Sequence, residues 1–315
     1  MYQPCFFILM GLTAIRATAI SRPPITTKVA DSLLASNNIT LTSGRPDARF
    51  HVSPSIGPEL LPINPTLVNI LHFMAELACK DHNESVAADT WSTPDASEVT
   101  IVTQEAIQTK YLLWGIFEGI EYMIKNKRFH EVFLTLRWES EKVGEIWLMP
   151  SELAVNLALN TSAQSLTQQS DNSRTRSNST GVRKMLPDSQ VVNEVNALAM
   201  DISVGISTLP GGGPLTRFDV FLVCYAAMIH LSLAKPETRM EDTVSKSPLS
   251  SVVIHMFRWG PGAKVYQAIQ LMIYLPRAML DSPQGFREIT FNLRVDGRTV
   301  IQGTINKGPD SHTIM

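Results

Sequence analysis

Two stretches of the chain alternate apolar and polar side chains in the same way. Residues 129–138 (FHEVFLTLRW) and 286–295 (FREITFNLRV) share Phe, Glu, Leu and Arg at one constant offset (286 − 129 = 157), and Val143 and Val300 keep it. A period of two is the mark of a half-buried strand. Each stretch runs into a short polar turn, residues 139–142 and 296–299, and then resumes its alternation, so each predicts a β-hairpin. The second turn carries Asp296-Gly297, a strong hairpin signal.

The segments ahead of the hairpins correspond as well. Residues 108–127 predict a helix with Leu113, Ile116, Phe117, Ile120 and Ile124 on or near one face; residues 264–280 hold the matching place, with Pro276 predicted to kink or shorten that helix. Short strands precede both, at 99–102 and 252–255. Earlier still come apolar helices at 67–79 and 221–233, in which Met74 aligns with Met228 and Leu77 with Leu231, and β-like runs at 50–52 and 202–204. The expectation is an α+β fold made of two diverged copies of a β-α-β-α-β-β unit, residues 50–150 and 198–306, arranged with pseudo-twofold symmetry and with Arg137 and Arg294 at equivalent sites.

Outside the copies the composition changes. Residues 1–19 read as a signal peptide: the apolar run Cys5–Ile15 is too short to span a bilayer, and Ala17-Thr18-Ala19 offers the small residues that signal peptidase accepts. Residues 20–49 form an extended lead-in, residues 151–197 a polar, largely disordered linker poor in apolar side chains, and residues 307–315 a tail. Asn38, Asn83, Asn160 and Asn178 open N-glycosylation sequons in polar stretches, as expected of a secreted, extracellular glycoprotein. Removing the leader removes Cys5 and leaves Cys79 and Cys224. Antiparallel packing of the two apolar helices would bring these two together as a disulfide; the other reading is two separate buried thiols.

The leader followed by F-x-E-V-x-L-x-L-R-W at 129–138, Val143-Gly144-Glu145-Ile146 and the weaker second copy resembles a group of predicted secreted proteins from filamentous fungi. That resemblance spans most of residues 50–306. It implies secretion and a structural motif, and carries no activity, cofactor or site residue.

Charge narrows the partners. The 27 Lys and Arg against 29 Asp and Glu leave a net charge of −2 with no basic block, which argues against nucleic acid. No apolar run is long enough to predict a transmembrane segment. The chemical constellations are sparse. His72 and Glu76, with His82 beyond, match only part of a His-Glu-x-x-His zinc motif and read as a helix-face pair. Gly-x-Ser-x-Gly is absent. Leu209–Pro214, with its three glycines, lacks the Lys-Ser/Thr of a phosphate loop and reads as a flexible lead-in to a helix. Glu118 and Glu121 lie one helical turn apart, an imaginable acid–base pair that reads more simply as a solvated helix face. Trp138 and Trp147 share a hairpin and read as packing residues before a carbohydrate platform. No catalytic, metal or cofactor-binding residue is assigned from sequence. Two functions compete: a non-enzymatic secreted protein acting through its surface on a cell wall or host component, and a small-ligand-binding protein or tailoring enzyme of fungal secondary metabolism with its site between the copies. A cleft there, lined by polar residues that break the repeat, would favour the second.

Overall fold

In the computed structural model, residues 42–43, 47–155, 202–260 and 262–308 are described. Their strands and helices run in the order β1 (Thr42–Ser43), β2 (Phe50–Leu60), α1 (Ile63–Ala78), β3 (Ser85–Val86), β4 (Thr90–Trp91), β5 (Val99–Thr103), β6 (Ile107–Gln108), α2 (Thr109–Asn126), β7 (His130–Trp138), β8 (Glu141–Pro150), β9 (Ile202–Thr208), α3 (Arg217–Leu231), β10 (Thr243–Lys246), β11 (Val252–Arg258), α4 (Val265–Asp281), β12 (Ile289–Val295) and β13 (Arg298–Lys307). One sheet has the order β2-β7-β8-β5-β4 and is antiparallel throughout. A second has the order β9-β12-β13-β11-β10, read from its far edge, with β1 added parallel to β10, and β3 and β6 pair as a separate two-stranded antiparallel sheet. The chain is therefore an α+β protein with two roughly similar sheet-and-helix units, which suggests internal duplication.

The likeness extends to irregularities. The β7–β8 ladder shifts register between Leu136 and Arg137, and the β12–β13 ladder between Leu293 and Arg294. Both turns then open with a residue in the left-handed region, Glu139 at φ 56° and Asp296 at φ 51°. The bulges and the left-handed residues each keep the offset of 157, so the sequence match covers backbone events that alternation alone does not dictate.

The shared Phe and Glu of the motif now have a physical role. The carbonyl of Phe129 accepts from the Leu61 N–H at 2.9 Å, and that of Phe286 from Leu215 at 3.0 Å. In each unit this bond ties the entry of the first helix to the start of the hairpin. Glu131 is buried beside Gly57, where a Cβ would collide with its carboxylate. Its counterpart Glu288 accepts from the backbone N–H groups of Gly213 and Lys307, both at 2.8 Å. The glycine-rich loop is thus secured by a carboxylate, and Gly212 donates to Leu209 O at 2.8 Å. Its N–H groups serve the fold.

The helices pack on the sheets through close approaches. On α2, Gly115 and Gly119 face β7, where a Cβ would run into Leu136 or Leu134; the missing side chains let the helix sit down on the strand. The helices of the two units also meet. Tyr225 on α3 donates its buried hydroxyl to Leu67 O on α1 at 2.7 Å, and Arg217 Nη1 donates to Asn64 Oδ1 at 2.8 Å. A single apolar core joins both units, so neither forms an independent interior.

Several expectations need correcting. Cys79 and Cys224 are both free thiols. The contacts just given set the middle of α3 against the first turns of α1, whereas Cys79 caps the far end of α1. Twelve residues of helix beyond Leu67 amount to roughly 18 Å, well over the ~7 Å that a disulfide tolerates between Cα atoms. Burial pushes the Cys79 thiol up to about 11, and burial drives Cys224 higher still. Pro276 does not shorten α4, which continues to Asp281. Beyond the predicted order the first unit has three short extra strands, β3, β4 and β6, and the second has β10. The lead-in contributes β1 to the edge of the second sheet, and residues 151–155 of the linker are helical. The leader, most of the lead-in, residues 156–201 and the tail beyond 308 lie outside the described residues, as do Asn38, Asn160 and Asn178. Asn83 lies exposed on a turn, its Oδ1 accepting from Lys110 Nζ at 3.1 Å. Among the described residues no helix is long and apolar enough to cross a membrane.

Candidate functional site

Where α2 passes the start of β2 it leaves a cleft of about 440 Å³. From α2 come the buried Phe117 and the more exposed Glu118, Glu121, Tyr122 and Lys125. Opposite stand Asp47 and Ala48 ahead of β2, then Phe50, Val52 and Pro54 along it. The third wall comes from the other unit: Pro248 and Leu249, in the loop between β10 and β11. The cleft therefore lies at the junction of the two units, and its volume suits a small organic molecule.

Its walls are mostly apolar and its functional groups are mostly acidic. The buried inner face of α2, seated on β7 by Gly115 and Gly119, leaves Glu118 half-buried in the cleft. Burial, with the neighbouring Glu121 carboxylate adding to it, pushes the Glu118 carboxyl up to about 7, against the opposing pull of a hydrogen bond from the Val52 backbone. Glu118 thus shares its proton near neutrality, unlike an ordinary solvated carboxylate. Glu121 accepts from the Ser247 hydroxyl at 3.1 Å, a bond that links the two units. At the rim Asp47 takes two hydrogen bonds from the Arg49 guanidinium, at 3.1 and 3.0 Å, which pull it down to about 2. Lys125 is exposed at the outer end.

The corresponding face of the second unit is built differently. Counting from the first helical residues (265 − 109 = 156), Glu118 corresponds to Tyr274 and Glu121 to Arg277. Tyr274 is exposed. Arg277 crosses to the first unit, where it pairs with Asp95 and reaches His72 Nε2 at 3.2 Å. One junction is thus bridged by an ion pair, while the other holds an acidic cleft.

The other sequence candidates are used elsewhere. His72 meets Arg277, and Glu76 pairs with Lys80 at 3.1 Å, so the two do not act as a zinc pair. Among the described residues no group of three or more His, Cys, Asp or Glu is placed to hold a metal. Trp138 packs with Tyr111 and Trp114 of α2 under the Arg49 guanidinium, 4.4 Å from its ring. Trp147 meets Phe133 in a separate cluster with Val102, Met149 and Ala154. The two tryptophans form no common platform. Glu118 and Glu121 sit side by side on one helix, not facing each other across a substrate as a glycosidase pair must. Sequence reasoning found this pair but missed Asp47, Val52, Ser247 and Leu249, which make it a site.

No protein-family model matches the chain, and no curated protein or solved structure matches it.

Proposed function

We propose that this is a secreted small-ligand-binding protein, built by duplication of one α+β unit, with its site in the acidic cleft between the units. The observation that carries the reading is the cleft itself: it is walled by both units, and its carboxylates replace what the repeat has as Tyr274 and Arg277. Duplicated units commonly place ligands where they meet, and a pocket whose polar groups break the repeat has been specialised beyond folding. The pseudo-twofold relation is supported by the matching strand orders, the paired bulges and the reciprocal bridges: Glu121 to Ser247 on one side, Arg277 to Asp95 on the other. Secretion and glycosylation rest on the leader and the sequons, with Asn83 exposed as a glycan acceptor requires. A second reading, turnover of the bound compound, is favoured by one feature. A carboxyl that titrates near neutrality can both give and take a proton.

The test is a ligand-observed NMR screen of small organic molecules on the full secreted protein, against the variant Ala48→Trp. Ala48 is exposed at the cleft rim, so a larger side chain there is expected to obstruct the cleft and leave the core intact. Binders that compete with one another and are lost in the variant are expected. Binders indifferent to Ala48→Trp would overturn the reading. Mass spectrometry of recovered binders separates binding from turnover. Intact mass of protein from the medium is expected to show a chain starting at or near Ile20 and carrying glycan.

A further inference from the structure

We propose that the outward face of the second sheet binds an extended, uncharged, β-linked polysaccharide, its sugar rings stacked on Phe257 and Trp259 and its hydroxyls bonded by Asn292, Gln302 and Thr304. This site is separate from the cleft and does not depend on it. The register of the sheet defines the face. Ile254 and Met256 of β11, Phe291 and Leu293 of β12, and Ile301 and Ile305 of β13 turn into the core, so the alternate residues of each strand lie on the opposite side. There Thr290, Thr304 and His255 sit abreast in one cross-strand row, and Asn292, Gln302 and Phe257 in the next.

The first unit has the same positions and fills them differently. Phe133, Trp147 and Val102 form the row that matches Thr290, Thr304 and His255 (290 − 133 = 304 − 147 = 157). With Met149 they pack into an apolar cluster closed by Ala154. The second sheet replaces Met149 with Asn306, and Glu145, which pairs with Lys142, with the neutral Gln302. A face that served only stability had no need to give up the apolar set.

Two observations point to a carbohydrate. The first is a line of rings along β11. The His255 and Phe257 rings stack with centroids 6.2 Å apart and planes at 20°. Trp259, next in the alternation, is 59% exposed, although its N–H still bonds Val300 O at 2.8 Å. Alternate residues of a strand are about 7 Å apart, so the three rings make a strip roughly 14 Å long. Several sugars can lay their C–H faces on such a strip. The second observation is that amides beside the strip are not used up by the fold. The buried Oδ1 atoms of Asn292 and Asn306 have no hydrogen-bond partner, a cost that a ligand hydroxyl relieves once the side chain turns to it. Amides and hydroxyls both donate and accept, as sugar hydroxyls do. Burial holds the His255 imidazole below its usual range, which keeps it neutral, and Glu288 is taken up by the Gly213 and Lys307 N–H groups. Lys246 and Arg294, the charged side chains of the face, stand at its margins. The centre therefore has no charge to select an ionic ligand. A straight strip suits the equatorial rings of a β-linked chain better than a coiled α-linked one.

Isothermal titration of the full protein with cellohexaose, chitohexaose, maltohexaose and hexagalacturonate tests this. At least one of the two neutral β-linked hexamers is expected to bind, and the two α-linked controls, one neutral and one charged, to bind at least about tenfold more weakly. Trp259→Ala is expected to weaken binding about tenfold or more, with the melting temperature unchanged because the ring is exposed. Gln302→Ala, checked for folding by near-UV circular dichroism, is expected to weaken it as well, and Ala48→Trp to leave it unchanged. Failure of both β-linked hexamers to bind, equal binding of maltohexaose, or binding indifferent to Trp259→Ala and Gln302→Ala would overturn the proposal. Loss of binding in Ala48→Trp would move the sugar to the cleft and overturn it too.

Discussion

Glu118→Gln is expected to stabilise the protein, and by an amount that depends on pH. The carboxyl sits at about 7 in the folded chain against an ordinary 4.5. The native state therefore holds this proton more tightly than the unfolded state does. Stability falls as pH rises from about 4.5 to about 7, and stays reduced above that. At about 1.4 kcal/mol per pH unit the shift would be worth ~3 kcal/mol if the group were wholly dry. Glu118 reaches solvent through the cleft, so screening leaves roughly half, ~1.5 kcal/mol. Glutamine keeps the shape and can still accept from Val52, but carries no charge to desolvate or to oppose Glu121. Thermal unfolding of the variant at pH 8 is expected to come about 3–6 °C above that of the parent. The two curves should converge below about pH 4.5, as the parent carboxyl becomes protonated in both states. A variant less stable than the parent at pH 8, or one whose advantage does not change with pH, would refute the reasoning. It would mean that the carboxylate is already satisfied by its surroundings.

Other outcomes follow from the packing. Tyr225→Phe removes the buried hydroxyl bond to Leu67 O, a carbonyl that keeps its partner within α1; denaturant titration should show a loss of ~1 kcal/mol. Glu288→Ala strips the acceptor from the Gly213 and Lys307 N–H groups and is expected to cost about 2 kcal/mol or more, with faster amide exchange at both residues. Thiol titration of the denatured, unreduced protein lacking residues 1–19 should find Cys79 and Cys224 both free, and the native protein should react slowly at pH 8 because burial keeps both protonated.

The parts of this structure legible in the sequence are those whose causes are local. Alternation at 129–138 and 286–295 marks the hairpins because one face of each strand is buried; of the first three residues of β12, Ile289 and Phe291 point inward while Thr290 does not. The helical stripe at 108–127 marks α2 for the same reason, with boundaries only a residue away. The shared Phe is legible as a motif position, and its carbonyl bonds the helix entry in both units. The elements that escaped are set by distant partners. β4 is two residues long and exists because Thr90 and Trp91 pair with β5. β9 was foreseen only as Ile202–Val204, although it runs on to Thr208 along β12 with little burial to mark it. Of the two readings open for Cys79 and Cys224, the disulfide requires a helix crossing that the sequence does not specify; the Tyr225–Leu67 contact places that crossing elsewhere, and the separate thiols stand.

The cleft shows the same division. Glu118 and Glu121 were visible as a pair on a helix face, and a solvated face was the simpler reading. What changes their chemistry is enclosure by Asp47 and Ala48 on one side and Pro248 and Leu249 on the other. Residue 249 is 131 positions from residue 118, and no local pattern announces that the two will meet.

The most direct measurement is a crystal structure of the full protein soaked with the competing binders from the small-molecule screen. A bound molecule is expected in the cleft, in contact with Phe50, Glu118 and Leu249. Binders seated only elsewhere on the molecule, with water alone in the cleft, would contradict the reading.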